Sequence, residues 1–120
     1  MAKKILVVDD ESDLLKVTLL RLKKTGYETF GCADGQAVLD MARQIIPDLI
    51  ILDIYLPVMN GDEVAKILKK DEQLKHVPII LISASTSTLD EKAWGSRANA
   101  YLKKPFEPED LISTVKNILG

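Results

Sequence analysis

Three short apolar segments constrain the fold of this chain more than any other feature. They occupy residues 5–8, 49–52 and 79–82, with the sequences Ile-Leu-Val-Val, Leu-Ile-Ile-Leu and Ile-Ile-Leu-Ile. Near-continuous apolar runs of this length are typical of strands that are covered on both faces. Residues 27–32 and 100–103 also have strand length, but their mixed polarity favours strands at or near the edge of a sheet. The sequence therefore predicts five strands.

The segments between these runs carry apolar residues at helical spacing. The positions that form the pattern are Leu14, Leu15, Thr18, Leu19 and Leu22, then Val38, Leu39, Ala42, Ile45 and Ile46, then Val64, Ile67 and Leu68, then Leu89, Ala93 and Trp94, and last Leu111, Ile112, Val115, Ile118 and Leu119. Each set predicts an amphipathic helix, and Gly and Pro residues separate the periodic segments. Five repeats of strand and helix predict a doubly wound α/β fold, with a parallel sheet and five helices on its two faces.

Composition excludes several classes of protein. The chain has 120 residues, of which 47% are apolar and 28% charged, as in a single globular domain spanning residues 1–120. A net charge of −2 provides no field that attracts nucleic acid or anionic lipid. Cys32 is the only cysteine, which excludes an intrachain disulfide, and no apolar run approaches the roughly 20 residues of a membrane span. We therefore expect a cytoplasmic protein with no direct contact to nucleic acid or membrane.

Chemically active side chains follow the strands at the edge where the carboxyl ends of parallel strands meet. In chain order these residues are Asp9, Asp10, Glu11, Asp53, Ser83 and Lys104. Taken singly, each has an ordinary structural explanation, such as a helix cap, a turn acceptor or a loop hydroxyl. Together, several carboxylates at one edge repel one another unless a cation offsets their charge. Hard oxygen ligands with an open side suit Mg²⁺ and a substrate phosphate, so the sequence predicts phosphate chemistry at this edge.

Four motifs, spaced by complete strand–helix units, resemble the receiver domain of two-component response regulators over the whole chain. They are Val-Val-Asp-Asp at 7–10, Leu-Asp at 52–53 with Leu-Pro at 56–57 and Met-Asn-Gly at 59–61, Ile-Ser-Ala at 82–84, and Tyr-Leu-Lys-Lys-Pro-Phe at 101–106. The resemblance implies a flavodoxin-like fold of the kind found in chemotaxis regulators, with strand order 2-1-3-4-5.

The resemblance also implies a reaction. Asp53 would be the nucleophile that takes a phosphoryl group from a phosphohistidine on a sensor histidine kinase or phosphotransfer protein. The side chains of Asp9, Asp10 and Asp53 and the backbone carbonyl of Tyr55 would hold Mg²⁺, and Lys104 would contact the phosphate. The domain would catalyse its own phosphorylation and dephosphorylation, without turnover of external substrates.

A switch and a phosphate lifetime follow from the same resemblance. The Ser83 hydroxyl would reach for the phosphoryl oxygens and Tyr101 would turn inward, which would remodel the surface around the fourth helix and fifth strand for a downstream protein or an effector domain outside this chain. Tyr55 would block the approach of water, and Ser85 is too short to orient it, so we expect slow hydrolysis. The Lys104–Pro105 peptide is expected to be cis.

The chain departs from the family pattern before its fifth strand. Residues 97–99 are Arg-Ala-Asn where the family often has Gly-Ala-Asp. The fourth predicted helix therefore lacks an expected terminating glycine.

Other functions compete with this one. A flavin-binding electron carrier shares the doubly wound order, but Asp9, Asp10 and Glu11 would repel its phosphate. An aspartate-nucleophile phosphatase acting on small molecules would need an acid two residues after the nucleophile, where Tyr55 follows Asp53, although Glu11 does stand two residues after Asp9. A degenerate receiver would act only as a protein-interaction module, and the complete set of acids, hydroxyl and lysine argues against it.

Overall fold

Five parallel strands form one sheet in the computed structural model, which describes residues 2–84 and 98–120. The strands are β1 (Lys4–Val8), β2 (Glu28–Cys32), β3 (Leu49–Asp53), β4 (Ile79–Ser83) and β5 (Ala100–Lys103), in the order β2-β1-β3-β4-β5. The described helices are α1 (Ser12–Lys24), α2 (Gly35–Ile45), α3 (Gly61–Lys70) and α4 (Pro108–Leu119). The doubly wound sheet and its strand order are thus confirmed. The helix predicted around residues 89–94 lies outside the described residues, and α4 is the fifth predicted helix.

Helices cover both faces of the sheet, which explains why its central strands are apolar throughout. One core cluster joins alternate strand residues to α2 and α3, and includes Leu6, Ile50, Leu81, Val38 and Leu68. The other joins the intervening strand residues to α1 and α4, and includes Val7, Ile51, Ile80, Leu22 and Val115. Because each fully buried aliphatic side chain contributes roughly 1.5–3 kcal/mol, a polar substitution in the middle of β1, β3 or β4 would be costly. In the described ranges, no helix has the length and apolarity needed to cross a membrane.

The winding of the chain reverses between β1 and β3. After β1 the chain adds β2 on one side, and then crosses to add β3 on the other side. Val8 is paired with Leu52 in this parallel ladder, so Asp9 and Asp53 follow adjacent residues at the same edge. The register of β4 and β5 pairs Ser83 with Lys103. The switch point of the fold therefore coincides with the predicted acid cluster.

One predicted helical position is wrong. Ile46, expected on the apolar face of the second helix, is instead its C-cap, with a left-handed φ of 45° and its N–H bonded to the Ala42 carbonyl at 2.9 Å. The reason is Pro47, because a proline ring disfavours helical geometry at the preceding residue. Ile46 is consequently exposed to solvent.

Asn99, in the segment that departs from the family pattern, connects β4 to α3. Its N–H donates to the Ile79 carbonyl at 2.8 Å, and its side-chain oxygen accepts from the Ile79 N–H at 3.0 Å. The same oxygen accepts from Lys69 Nζ at 3.2 Å, and Lys69 also donates to the Val77 carbonyl at 3.0 Å. Burial lowers the pKa of Lys69. Both of these acceptors of the Lys69 ammonium are thus neutral oxygens.

We expect Asn99→Asp to stabilise the fold at low salt, because a carboxylate keeps the acceptor and adds a counter-charge for Lys69. The gain should be about 0.5 kcal/mol, as for a partly exposed ion pair, and should shrink at high salt. Urea unfolding at low and at high salt measures the gain in stability and its salt dependence. Asn99→Ala is the control, and should destabilise by about 1 kcal/mol because the Ile79 N–H loses its acceptor. An Asn99→Asp protein that is less stable than the parent at low salt contradicts this account.

Candidate functional site

The three acids predicted from the strand ends lie together. Asp9 directly follows β1 and is 4% exposed, and Asp53 ends β3 and is 6% exposed. Asp10 is exposed to solvent. One carboxylate oxygen from each of the three lies within 4.8 Å of those from the other two. The cluster therefore has a buried floor of two acids and an open side formed by the third.

Lys104 inserts its ammonium between the two buried acids. Its Nζ lies 2.5 Å from Asp53 Oδ2 and 3.2 Å from Asp9 Oδ2. The Lys104 backbone N–H donates to the Ser83 carbonyl at 2.8 Å, which extends the pairing of β4 and β5 by one residue. The Lys104–Pro105 peptide is cis, as expected. The lysine is thus held at both its backbone and its side chain.

Backbone N–H groups fix the second oxygen of each buried acid. Asp53 Oδ1 accepts from the Tyr55 N–H at 3.0 Å, and Asp9 Oδ1 accepts from the Glu11 N–H at 2.9 Å. In both residues Oδ1 is bound by the loop that follows, while Oδ2 is bound by Lys104. These bonds orient both carboxylates within the protein itself.

The charges of the cluster are only partly balanced. Burial raises the pKa of Asp53, and the Asp9 charge adds to this effect, while Lys104 and the Tyr55 N–H offset part of it. Burial alone would lower the pKa of Lys104, but the hydrogen bond and charge of Asp53, together with Asp9, outweigh it and raise that pKa. Within residues 2–84 and 98–120, three carboxylates therefore face one firmly charged ammonium. The formal excess of two negative charges matches a divalent cation.

Gly61 allows α3 to begin directly against the end of β3. Its N–H donates to the Ile54 carbonyl at 2.7 Å, and a Cβ at this position would lie 2.1 Å from the Asp53 carbonyl oxygen. No side chain fits at that distance. The sequence identifies Asn60-Gly61 as a turn signal and as part of a family motif, but it does not show that this glycine contacts the backbone of the predicted nucleophile.

The predicted switch and lifetime residues lie in different environments. Ser83 is fully buried at the end of β4, whereas Tyr101 on β5 is 52% exposed. Tyr55, two residues after Asp53, is about half exposed. Ser85 lies outside the described residues. Ser83 therefore lies in the protein interior, whereas Tyr101 faces solvent.

The sequence matches the response regulator receiver domain over residues 5–116. The chain belongs to this family. Receiver domains act in two-component signalling, bind Mg²⁺ at an acidic pocket, and interact with histidine kinases or phosphotransfer proteins and with downstream targets.

Alignments with relatives include almost the whole of this receiver domain. It is 38% identical to the polar-differentiation response regulator DivK of Brucella ovis, over 100% of this chain and 98% of that protein. The structure of the chemotaxis response regulator CheY4 of Vibrio cholerae has a TM-score of 0.93 and 33% identity, with 99% of this chain and 100% of that chain covered. The receiver domain of the sensor histidine kinase PA1611 of Pseudomonas aeruginosa, solved with a magnesium ion coordinated in its active site cleft, has a TM-score of 0.90 and 28% identity, with 98% and 97% covered.

We expect Lys104→Met to destabilise the receiver domain by about 2 kcal/mol at neutral pH, because two buried carboxylates lose their counter-charge. The loss should shrink as the pH falls. Removal of the ammonium raises the pKa of Asp53 further, so the folded state binds a proton where the unfolded state does not, and acid favours folding in that window. Urea unfolding at neutral and mildly acidic pH measures the difference from the parent.

Lys103→Met is the matched control, since Lys103 is the exposed neighbour on β5. It should leave the free energy of unfolding almost unchanged at either pH. Equal effects of the two substitutions would show that the bridge of Lys104 to the acids does not stabilise the fold.

Proposed function

We propose that this receiver domain accepts a phosphoryl group on Asp53 from a phosphohistidine of a sensor histidine kinase or phosphotransfer protein, in a reaction that requires Mg²⁺. The observation that carries this proposal is the ammonium of Lys104 between Asp53 and Asp9, with Asp10 exposed beside them. Such a site presents an oriented nucleophile and keeps one side open to a cation and a phosphate.

The donor set suits Mg²⁺. This ion prefers oxygen ligands and is usually bound through one or two carboxylates, several waters and a substrate phosphate. Asp9, Asp10 and Asp53 would each contribute a carboxylate oxygen, and the Tyr55 carbonyl would complete the share of the protein. The magnesium ion in the Pseudomonas aeruginosa receiver domain supports this assignment. When bound, Mg²⁺ neutralises charge on the phosphoryl oxygens.

The residues of this chain would position and neutralise the reacting groups. A carboxylate oxygen of Asp53 attacks phosphorus, and the new P–O bond forms as the P–N bond to the donor imidazole breaks. The imidazole leaves with the electron pair and takes up a proton. Lys104 keeps its own proton and contacts the phosphoryl oxygens, while the Tyr55 N–H holds the other oxygen of Asp53. Positioning and charge neutralisation account for most catalysis of phosphoryl transfer.

The acyl phosphate would switch the surface of the domain. The phosphoryl group carries roughly −1.5 to −2 charge in place of the single negative charge of the carboxylate, and it brings three acceptor oxygens, which need new donors. We propose that the Ser83 hydroxyl moves toward these oxygens and that Tyr101, now exposed, turns inward. The change favours one of two arrangements around β5 and the helix predicted at residues 89–94. A downstream protein or an effector domain would recognise the changed surface.

Addition of Mg²⁺ should stabilise the domain, because the ion binds the folded acid cluster. At a Mg²⁺ concentration of about 100 times the dissociation constant, the gain in folding free energy is roughly 2.7 kcal/mol.

Asp10→Asn should raise the melting temperature of the metal-free protein, since it removes one of three clustered charges, and should abolish the response to Mg²⁺. Calorimetry measures both effects. Asp40→Asn is the control, since Asp40 is an exposed acid on α2 and should leave the Mg²⁺ response intact. A parent melting temperature that ignores millimolar Mg²⁺ contradicts the proposed metal site.

Asp53→Asn should remove phosphorylation without unfolding the domain. The parent and the Asp40→Asn control, incubated with Mg²⁺ and a small acyl phosphate, should gain one phosphoryl mass by intact-mass spectrometry. A gain of mass by Asp53→Asn would reassign the acceptor, and a folded parent that gains none would favour the interaction-module alternative.

The same measurement over time tests whether Tyr55 slows hydrolysis of the acyl phosphate. If it does, Tyr55→Asn should lose the phosphoryl group faster than the parent.

A further inference from the structure

Gly35, the first residue of α2, lies against the loop that follows Asp53. Its N–H donates to the Pro57 carbonyl at 3.2 Å. The first N–H groups of a helix have no partner inside the helix, so the loop carbonyl satisfies one of them. A Cβ on Gly35 would lie 2.1 Å from the Met59 carbonyl oxygen and 2.9 Å from the Met59 Cβ. Helix α2 and the loop therefore meet backbone to backbone, at a distance that only glycine permits.

The loop at this contact has an unfavourable conformation. The Met59 N–H donates to the Pro57 carbonyl at 2.8 Å, which closes a three-residue turn around Val58. Val58 has a φ of 72°, a region that β-branched residues rarely occupy. Such a conformation persists only where its surroundings hold it. Val58 is 80% exposed, so its own side chain does little to hold the turn. The Pro57 carbonyl, which receives the N–H groups of both Gly35 and Met59, links the turn to α2.

The same loop orients the acceptor carboxylate. It runs from residue 54 to residue 60 between β3 and α3. Near its start, the Tyr55 N–H binds Asp53 Oδ1, and at its end Gly61 packs against the Asp53 carbonyl. Gly61 belongs to the same strand–loop–helix unit as Asp53, whereas Gly35 belongs to a different helix. Gly35 therefore fixes the middle of the loop relative to the rest of the fold.

We propose that Gly35 is a positioning residue for phosphoryl acceptance. It holds the β3–α3 loop so that the Tyr55 backbone keeps the Asp53 carboxylate in the orientation that Mg²⁺ and the phosphoryl group require. This inference rests on the proposed function of Asp53. The start of α2 thus holds the loop beside Asp53, which neither the acids nor Lys104 does.

Gly35→Ala tests the proposal against a matched glycine substitution. In Gly35→Ala the new methyl group must displace the Met59 carbonyl. In Gly31→Ala, on β2, the new Cβ would lie 2.9 Å from Leu19 Cδ1, the end of a side chain that can move. We expect Gly35→Ala to weaken Mg²⁺ binding by about tenfold, as for other groups that orient metal ligands. Gly31→Ala should leave it nearly unchanged. Titration calorimetry with MgCl₂ measures both.

A second measurement does not depend on the metal. Without Mg²⁺, the Tyr55 amide should exchange with deuterium faster in Gly35→Ala than in the parent or Gly31→Ala. If the parent binds no Mg²⁺, the proposed function fails, and this exchange rate alone then decides whether Gly35 positions the loop. Unchanged exchange at Tyr55 overturns the positioning proposal, as does equal Mg²⁺ affinity of the two alanine variants when the parent does bind the ion.

A double variant separates positioning from folding. Adding Val58→Gly to Gly35→Ala removes the backbone strain and lets the Met59 carbonyl move away from the new methyl group. Stability against urea should then recover, while Mg²⁺ affinity and Tyr55 protection stay low. Recovery of all three would show that Gly35 matters only for folding. If Gly35→Ala alone does not fold, the double variant is compared with Val58→Gly. The proposal then requires that the double variant have lower Mg²⁺ affinity and lower Tyr55 protection than Val58→Gly.

Discussion

The site depends on one ammonium held between two buried carboxylates. The strand order brings the end of β1 next to the end of β3, so Asp9 and Asp53 converge whatever their charges. Without Lys104, the topology that builds the site would oppose folding through their repulsion. Lys104 follows β5, two strands from β3, and its long side chain must pass the end of β4. That strand ends in Ser83, whose side chain is small and buried, and whose carbonyl holds the lysine backbone.

A rigid base supports this charged edge. Apolar clusters on both faces of the sheet hold the strands, while the polar residues of the site lie at the ends of the strands or just after them. The loop after Asp53 is held by short backbone contacts at Gly35 and Gly61, whereas the strands are held by side-chain packing. A site that must bind a cation and a phosphoryl group benefits from this arrangement, since oriented oxygens need little rearrangement on binding. Among the described residues, Asp10 marks the side of the cluster that is open to solvent.

Much of the fold was predictable because burial on both faces leaves a direct trace in sequence. Continuous apolar runs predicted the central strands, and helical spacing predicted the helices that cover them. The prediction was wrong at Ile46, where the apolar pattern continues but Pro47 ends the helix. The acids and the lysine were predictable as a set because parallel strands end at one edge. Gly35 was not, because its contact with Met59 joins segments far apart in sequence.

The sequence by itself determined which chemical groups stand at the strand ends, since those positions follow from the alternation of strand and helix. It also carried the family motifs that favour Lys104 over Lys103. Only the tertiary structure decided how these groups meet: which oxygen of Asp53 faces the ammonium, which faces the Tyr55 N–H, and where α2 touches the loop. These contacts depend on distances of a few ångströms between separate elements, and such distances are set by packing in three dimensions.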